Sequence, residues 1–224
     1  MQKKNVERLM KERSARASLA AGFRFFMENL RRIFKSTWLS AVITAAVCGV
    51  AATVIFISWP ELMVRIYSDL DHAWQYAADY RMMLITVAAL TLLSLACTLW
   101  FYYMGLRAFR QLTDQKAGSI KALLPTLHPR YWGRWLLVGF VCSLILIPLL
   151  LITSLPEFII YEANWQAHAG VVGGDPLGMP SSITALTFVT CTLTSFLQLY
   201  LLLPAFACLY YNYGGIRTYI NKKQ

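Results

Sequence analysis

The amino-acid sequence predicts an all-α integral membrane protein with four transmembrane helices. Of its 224 residues, 58% are hydrophobic and only 14% are charged, whereas a soluble domain normally carries about a quarter of its residues as Asp, Glu, Lys and Arg. Four apolar segments have at least the ~20 residues that a helix needs to cross a bilayer. The low charge and the four segments together indicate that much of the chain is surrounded by lipid.

The four predicted spans are nearly free of charged residues. They cover residues 38–59, 82–104, 135–155 and 183–210. Trp and Tyr side chains stand at their ends, as is typical of membrane–water interfaces. Pro148 predicts a kink in the third span and Pro204 one in the fourth, because proline removes a backbone hydrogen bond. The predicted organisation is a basic N-terminal segment at 1–37, a transmembrane domain at 38–210 and a tail at 211–224.

The distribution of Lys and Arg predicts that both termini face the cytoplasm, because positive charge near a span resists translocation. Nineteen of the 21 cations lie before the first span, in the connection between the second and third spans, or in the tail. The two other connections hold only Arg65 and Arg81, together with seven of the 11 acidic residues. About 37 residues precede the first span, which we therefore expect to be retained rather than cleaved as a signal peptide.

The cysteines and the net charge of +10 narrow the functional classes. All five cysteines lie inside predicted spans, so we expect no disulfides on an exported face and no zinc site of Cys and His. We assign no catalytic residue, cofactor or metal. The cations are dispersed along membrane boundaries rather than clustered, which argues against a nucleic-acid partner. The basic N-terminal segment and the absence of outer cysteines favour a bacterial inner membrane.

Residues 19–35 predict a basic amphipathic helix that lies in the membrane interface ahead of the first span. At the helical period, the apolar residues of this segment share one face and the cations lie opposite. The apolar face comprises Phe23, Phe26, Met27, Leu30, Ile33 and Phe34. The candidate contacts with anionic lipid headgroups at the cytoplasmic face are Arg24, Arg31, Arg32 and Lys35. The segment either binds such headgroups or a partner, or it only anchors the first span.

The fourth span carries a stripe of polar and small side chains. The helical spacing places Thr187, Cys191, Thr194, Ser195 and Gln198 on one face. These residues either line a path for a substrate or form hydrogen bonds with neighbouring helices. We favour the second interpretation, because Ser, Thr and Gln commonly join helices in membranes. No Asp, Glu, Lys, Arg or His lies in the middle of a span, which argues against a proton-coupled carrier.

Two further patterns concern helix packing and the central connection. Small residues recur every fourth position in the first span, which predicts close contact with another helix. These are Ala41, Ala45, Gly49 and Thr53. In the connection between the second and third spans, Ser119 is a candidate cap for a short helix that ends at Pro125.

The sequence leaves three functional hypotheses. The first is a non-enzymatic membrane subunit or scaffold that acts through a partner, either another membrane protein or a second copy of the chain. The alternative is a permease-like component that moves a small apolar or lipidic solute along the polar stripe. The third, ranked last because no catalytic motif is present, is a lipid-modifying enzyme that uses Asp71, His72 and His168 of the outer loops. Two widely separated histidines are a poor metal signature.

Overall fold

A computed structural model describes residues 9, 11–72, 75, 78, 80–113, 128–175 and 180–222. Of these residues, 92% are helical, which confirms the all-α fold. The short helix predicted at Ser119 lies outside the described residues, as do the first eight residues of the N-terminal segment and the last two of the tail.

Four long helices make up most of the described chain. They are α1 (Ala15–Ser68), α2 (Arg81–Leu112), α3 (Trp132–Val172) and α4 (Ile183–Asn221). Short 3₁₀ turns occupy Leu70–His72 and Pro129–Tyr131. Each long helix contains one predicted span and is long and apolar enough to cross a membrane. The finding confirms a chain with four candidate membrane-spanning helices among the described residues.

The helices are longer than the predicted spans. Helix α1 has 54 residues, about 80 Å at 1.5 Å per residue, against a hydrocarbon core of about 30 Å. Hydropathy marks only the apolar window of such a helix, so the polar turns at its ends escape the prediction. Helices α3 and α4 continue through Pro148 and Pro204, and a bend at either proline stays a prediction.

Residues 19–35 are helical, but they form the first part of α1 and continue into the predicted span without a break. The hydroxyls of Ser36 and Thr37 both donate to Ile33 O at 2.8 Å, a bond that is compatible with a continuing helix. Phe26 and Ile33 of the predicted apolar face are buried, whereas its other four members are exposed. The placement of this segment in the membrane interface stays a prediction.

The chain divides into two compact units, and each long helix supplies residues to both. The first unit contains the chain up to Leu39, Phe101–Leu150 and the chain from Tyr200 onward. The second contains Ser40–Trp100 and Leu151–Leu199.

Aromatic rings form part of the core of the first unit. The Phe25 ring stands edge-on to Phe109, with 5.8 Å between centroids, and lies 5.3 Å from the Tyr211 ring. Gly22 of α1 meets the backbone of α4, since a Cβ at Gly22 would lie 2.5 Å from Cys208 Cα. Close backbone contact and the packing of aromatic rings therefore hold α1 against α2 and α4 in this unit.

The second unit uses the small residues of α1. Ala41 and Ala45 are buried, and a Cβ at Gly49 would overlap the Thr192 side chain of α4. Thr44 Oγ1 donates to Cys97 O of α2 at 3.1 Å. The small-residue pattern of the first span thus lies where α1 meets neighbouring helices, as its spacing predicts.

Candidate functional site

The polar stripe of α4 lies within the second unit. Thr187 and Cys191 are fully buried, Thr194 is nearly so, and Ser195 and Gln198 are half-buried. The stripe therefore faces the interior of the unit, and its hydrogen-bond partners decide between a packing surface and a path.

Two side chains of the stripe bond to α3. Asn164 Nδ2 donates to Thr187 Oγ1 at 3.1 Å, and Thr187 Oγ1 donates to Ile183 O at 2.7 Å. Gln198 Nε2 donates to Ser154 Oγ at 2.8 Å. These bonds join α3 to α4 through groups that would otherwise be unpaired away from water, which supports the packing interpretation.

Asn164 is not indicated by the sequence, because hydropathy ends the third predicted span at residue 155 and places the asparagine in an outer loop. In the structure Asn164 is fully buried on α3, and its Nδ2 also donates to Ile160 O at 2.8 Å. Its Oδ1 has no hydrogen-bond partner. The missed signal is that the apolar pattern of α3 continues beyond the length of a bilayer span.

The four candidate headgroup contacts are all exposed on α1. They are Arg24, Arg31, Arg32 and Lys35. Their exposure leaves the cations accessible, as contact with anionic headgroups requires. The contact itself stays a prediction.

A carboxylate cluster of the second unit was also missed. Glu61 Oε1 accepts hydrogen bonds from Tyr80 Oη at 2.7 Å and from Arg65 Nη2 at 3.2 Å. Burial, followed by the hydrogen bond to Glu61 and its charge, raises the pKa of Tyr80 to about 12. Helix α1 extends past its predicted span and sets Glu61 and Arg65 one turn apart, which hydropathy alone does not indicate.

Of the three residues in the enzyme hypothesis, the structure describes the side chains of Asp71 and His168 and shows no bond between them. Asp71 is exposed in the 3₁₀ turn, and the side chain of His72 lies outside the described part of the chain. His168 is half-buried on α3, and its Nε2 has no hydrogen-bond partner. Among the described residues, no hydrogen bond or ion pair connects Asp71 with His168, and no group of three His, Cys, Asp or Glu is placed to hold a metal.

A second missed cluster lies in the first unit. Arg134 Nη2 at the start of α3 donates to Arg13 O at 2.7 Å and to Asn212 Oδ1 at 3.3 Å. The Arg13 guanidinium lies 5.2 Å from the centre of the Tyr211 ring, and its Nη1 donates to Leu9 O at 3.1 Å. In the sequence, Arg134 is only the residue that precedes the third predicted span, because its contacts depend on residues distant in sequence.

Comparison with protein-family models, with curated proteins and with solved structures finds no match.

Proposed function

We propose that the protein is a membrane subunit or scaffold without catalytic activity, which acts through a partner in a bacterial inner membrane. Both termini would face the cytoplasm. The partner would be another membrane protein or a second copy of this chain. The exposed cations of α1 would contact anionic headgroups on the same side.

The observation that carries this proposal is the exposure of α2. The most apolar window of this helix has no buried residue, whereas 39% of the corresponding window of α1 is buried. Leu92, Leu93, Leu95 and Leu99 of α2 are all exposed. An apolar window in which no residue is buried offers a face to lipid or to another transmembrane helix.

The internal bonds of the polar stripe add support. Thr187 and Gln198 bond to α3, which supports a packing role for these groups. A permease needs polar groups directed toward its substrate. Polar groups that bond to a neighbouring helix are not available to contact a substrate. A scaffold needs only a stable bundle and a face for its partner.

Site-specific photocrosslinking in intact cells tests the proposal. A photoreactive residue at Leu92 of α2 should give a discrete protein adduct, whose mass separates a second copy of the chain from another protein. Ile145 of α3 is the matched control, since the two side chains are similarly exposed, at 68% and 63%. Adducts with lipid alone at Leu92, or the same protein adducts at both positions, would contradict a specific partner face on α2.

The result of the crosslinking experiment also bears on the permease alternative. If no protein is captured at Leu92, the purified chain is reconstituted in vesicles and the flux of an apolar dye is measured. A flux that Gln198→Leu changes, with no change in the unfolding free energy, would favour a path over the packing role.

A further inference from the structure

Two buried hydrogen-bond donors of the first unit have no acceptor. They are Nε of Arg134 on α3 and Nδ2 of Asn212 on α4, and the Asn212 side chain is fully buried. The two residues already touch, because Arg134 Nη2 donates to Asn212 Oδ1 at 3.3 Å. Buried donors are normally satisfied, so an unpaired pair in one cluster indicates an acceptor that the described residues do not supply.

The unpaired Nε belongs to the edge of the guanidinium that recognises oxyanions. Nε and Nη2 lie side by side and can donate in parallel to two oxygens of one phosphate or carboxylate group. In the structure Nη2 meets two neutral oxygens, Arg13 O and Asn212 Oδ1. Of the two donors on this edge, Nη2 is therefore bonded to uncharged acceptors, whereas Nε has no acceptor.

Among the described residues, no Asp or Glu forms an ion pair with the Arg134 side chain. Glu12 pairs instead with Lys222, at 2.5 Å, and acts on Arg134 only over a longer range. Arg13, which is almost completely buried, adds a second positive charge to the cluster. The surroundings thus favour an anion.

Two glycines of α4 shape the space around this edge. A Cβ at Gly215 would lie 3.3 Å from Arg134 Nη2 and 3.6 Å from Arg13 O, so a side chain at this position would crowd the Nη2 end of the edge. A Cβ at Gly214 would lie 2.5 Å from Leu9 O, so Leu9 rests directly on α4.

We propose that Arg134 and Asn212 form a binding site for a phosphate group. Its oxygens would accept from Nε and Nη2 of Arg134 and from Nδ2 of Asn212, and one oxygen would take the position that Arg13 O now holds. Since Arg134 precedes the predicted third span, the site lies at the depth of lipid headgroups, and the phosphate of an anionic phospholipid is the expected source. The inference does not depend on the partner proposed above.

The test compares lipid binding by variants of the full chain purified in detergent. Native mass spectrometry measures retention of phosphatidylglycerol against diacylglycerol with the same acyl chains, which differs by lacking the phosphate. A parallel titration uses inorganic phosphate. The wild-type chain should retain phosphatidylglycerol preferentially.

Asn212→Asp is the decisive variant, because its carboxylate would pair with Arg134 and repel phosphate. We expect it to weaken phosphatidylglycerol binding about tenfold or more, the effect of losing charge-assisted hydrogen bonds. Arg134→Lys keeps the charge but removes the paired donors, so it should also weaken binding severalfold. Arg107→Gln is the matched control, since it removes one unit of positive charge from an exposed position on α2 and should have little effect.

Each outcome decides the proposal. Equal weakening of phosphatidylglycerol binding by Asn212→Asp and Arg107→Gln would overturn it, and so would full binding of both phosphatidylglycerol and inorganic phosphate by both site variants. Sensitivity of inorganic phosphate binding to the site variants, with lipid binding unaffected, would support the site and assign it to the free ion. Thermal unfolding in the same detergent checks each fold, and if Asn212→Asp does not fold, Arg134→Lys alone decides.

Discussion

Asn164 of α3 and Thr187 of α4 form a hydrogen bond of 3.1 Å between two fully buried side chains. The threonine hydroxyl accepts from the asparagine amide and donates to Ile183 O. Since water does not compete at a buried site, the bond fixes the two helices at a particular register in the second unit. This bond supports the packing interpretation of the polar stripe of α4.

Replacing Thr187 by Val should lower the unfolding free energy by about 0.6 kcal/mol and by no more than about 1.7 kcal/mol, the average and the maximum measured for hydrogen bonds between membrane helices. Thr91→Val is a closely matched control, because both hydroxyls donate to the carbonyl four residues earlier, at 2.7 and 2.8 Å, but Thr91 is exposed on α2. Equilibrium unfolding in mixed micelles measures both variants. Equal losses would show that the bond between helices contributes nothing.

The stripe also shows which helix contacts the sequence can predict. Its spacing predicts a single face from Thr187 to Gln198, and the small residues of α1 predict a contact surface, because both patterns depend only on helix geometry. Asn164 and the pair of Arg134 and Asn212 could not be found in this way. Their contacts join residues far apart in sequence, and hydropathy ends a predicted span where the apolar window ends even though the helix continues.

Gly22→Ala should destabilise the first unit by about 1–3 kcal/mol, the usual cost of overpacking. The new Cβ would lie 2.5 Å from Cys208 Cα, and a backbone atom cannot move aside without shifting α4. Gly139→Ala is the control, since nothing lies within 4 Å of the added Cβ and alanine favours helix by up to about 1 kcal/mol. The midpoint of thermal unfolding should therefore fall for Gly22→Ala and rise for Gly139→Ala. A shift of the same sign in both would contradict close packing at Gly22.

The hydrogen bond between Tyr80 and Glu61 should be lost at high pH. Burial and the adjacent Glu61 carboxylate raise the pKa of Tyr80 to about 12, so the folded protein holds the phenolic proton more firmly than the unfolded chain. The bond's contribution to stability is then complete below the ordinary tyrosine pKa of about 10 and is lost as pH rises through about 12. An ultraviolet difference titration between the wild-type chain and Tyr80→Phe isolates this group.

Glu61→Gln supplies the control for that titration. Removing the carboxylate charge should move the titration of Tyr80 to lower pH, but not completely to the ordinary value, because burial is the largest cause of the raised pKa. A titration that Glu61→Gln leaves unchanged would show that the carboxylate does not act on Tyr80.

The predicted orientation can be tested with reporters placed on the two sides. A reporter fused after Gln224 should lie in the cytoplasm, because the cations of the N-terminal segment, central connection and tail resist translocation. One inserted at Gly174, an exposed turn residue with φ of 87° just after α3, should lie outside. A third reporter, inserted at the exposed Asp71 between α1 and α2, should lie on the same side as the one at Gly174. The chain would cross the membrane once through α2 and cross back through α3 between these two positions. The reverse pattern would overturn the orientation, and disagreement between Asp71 and Gly174 would overturn the count of four spans.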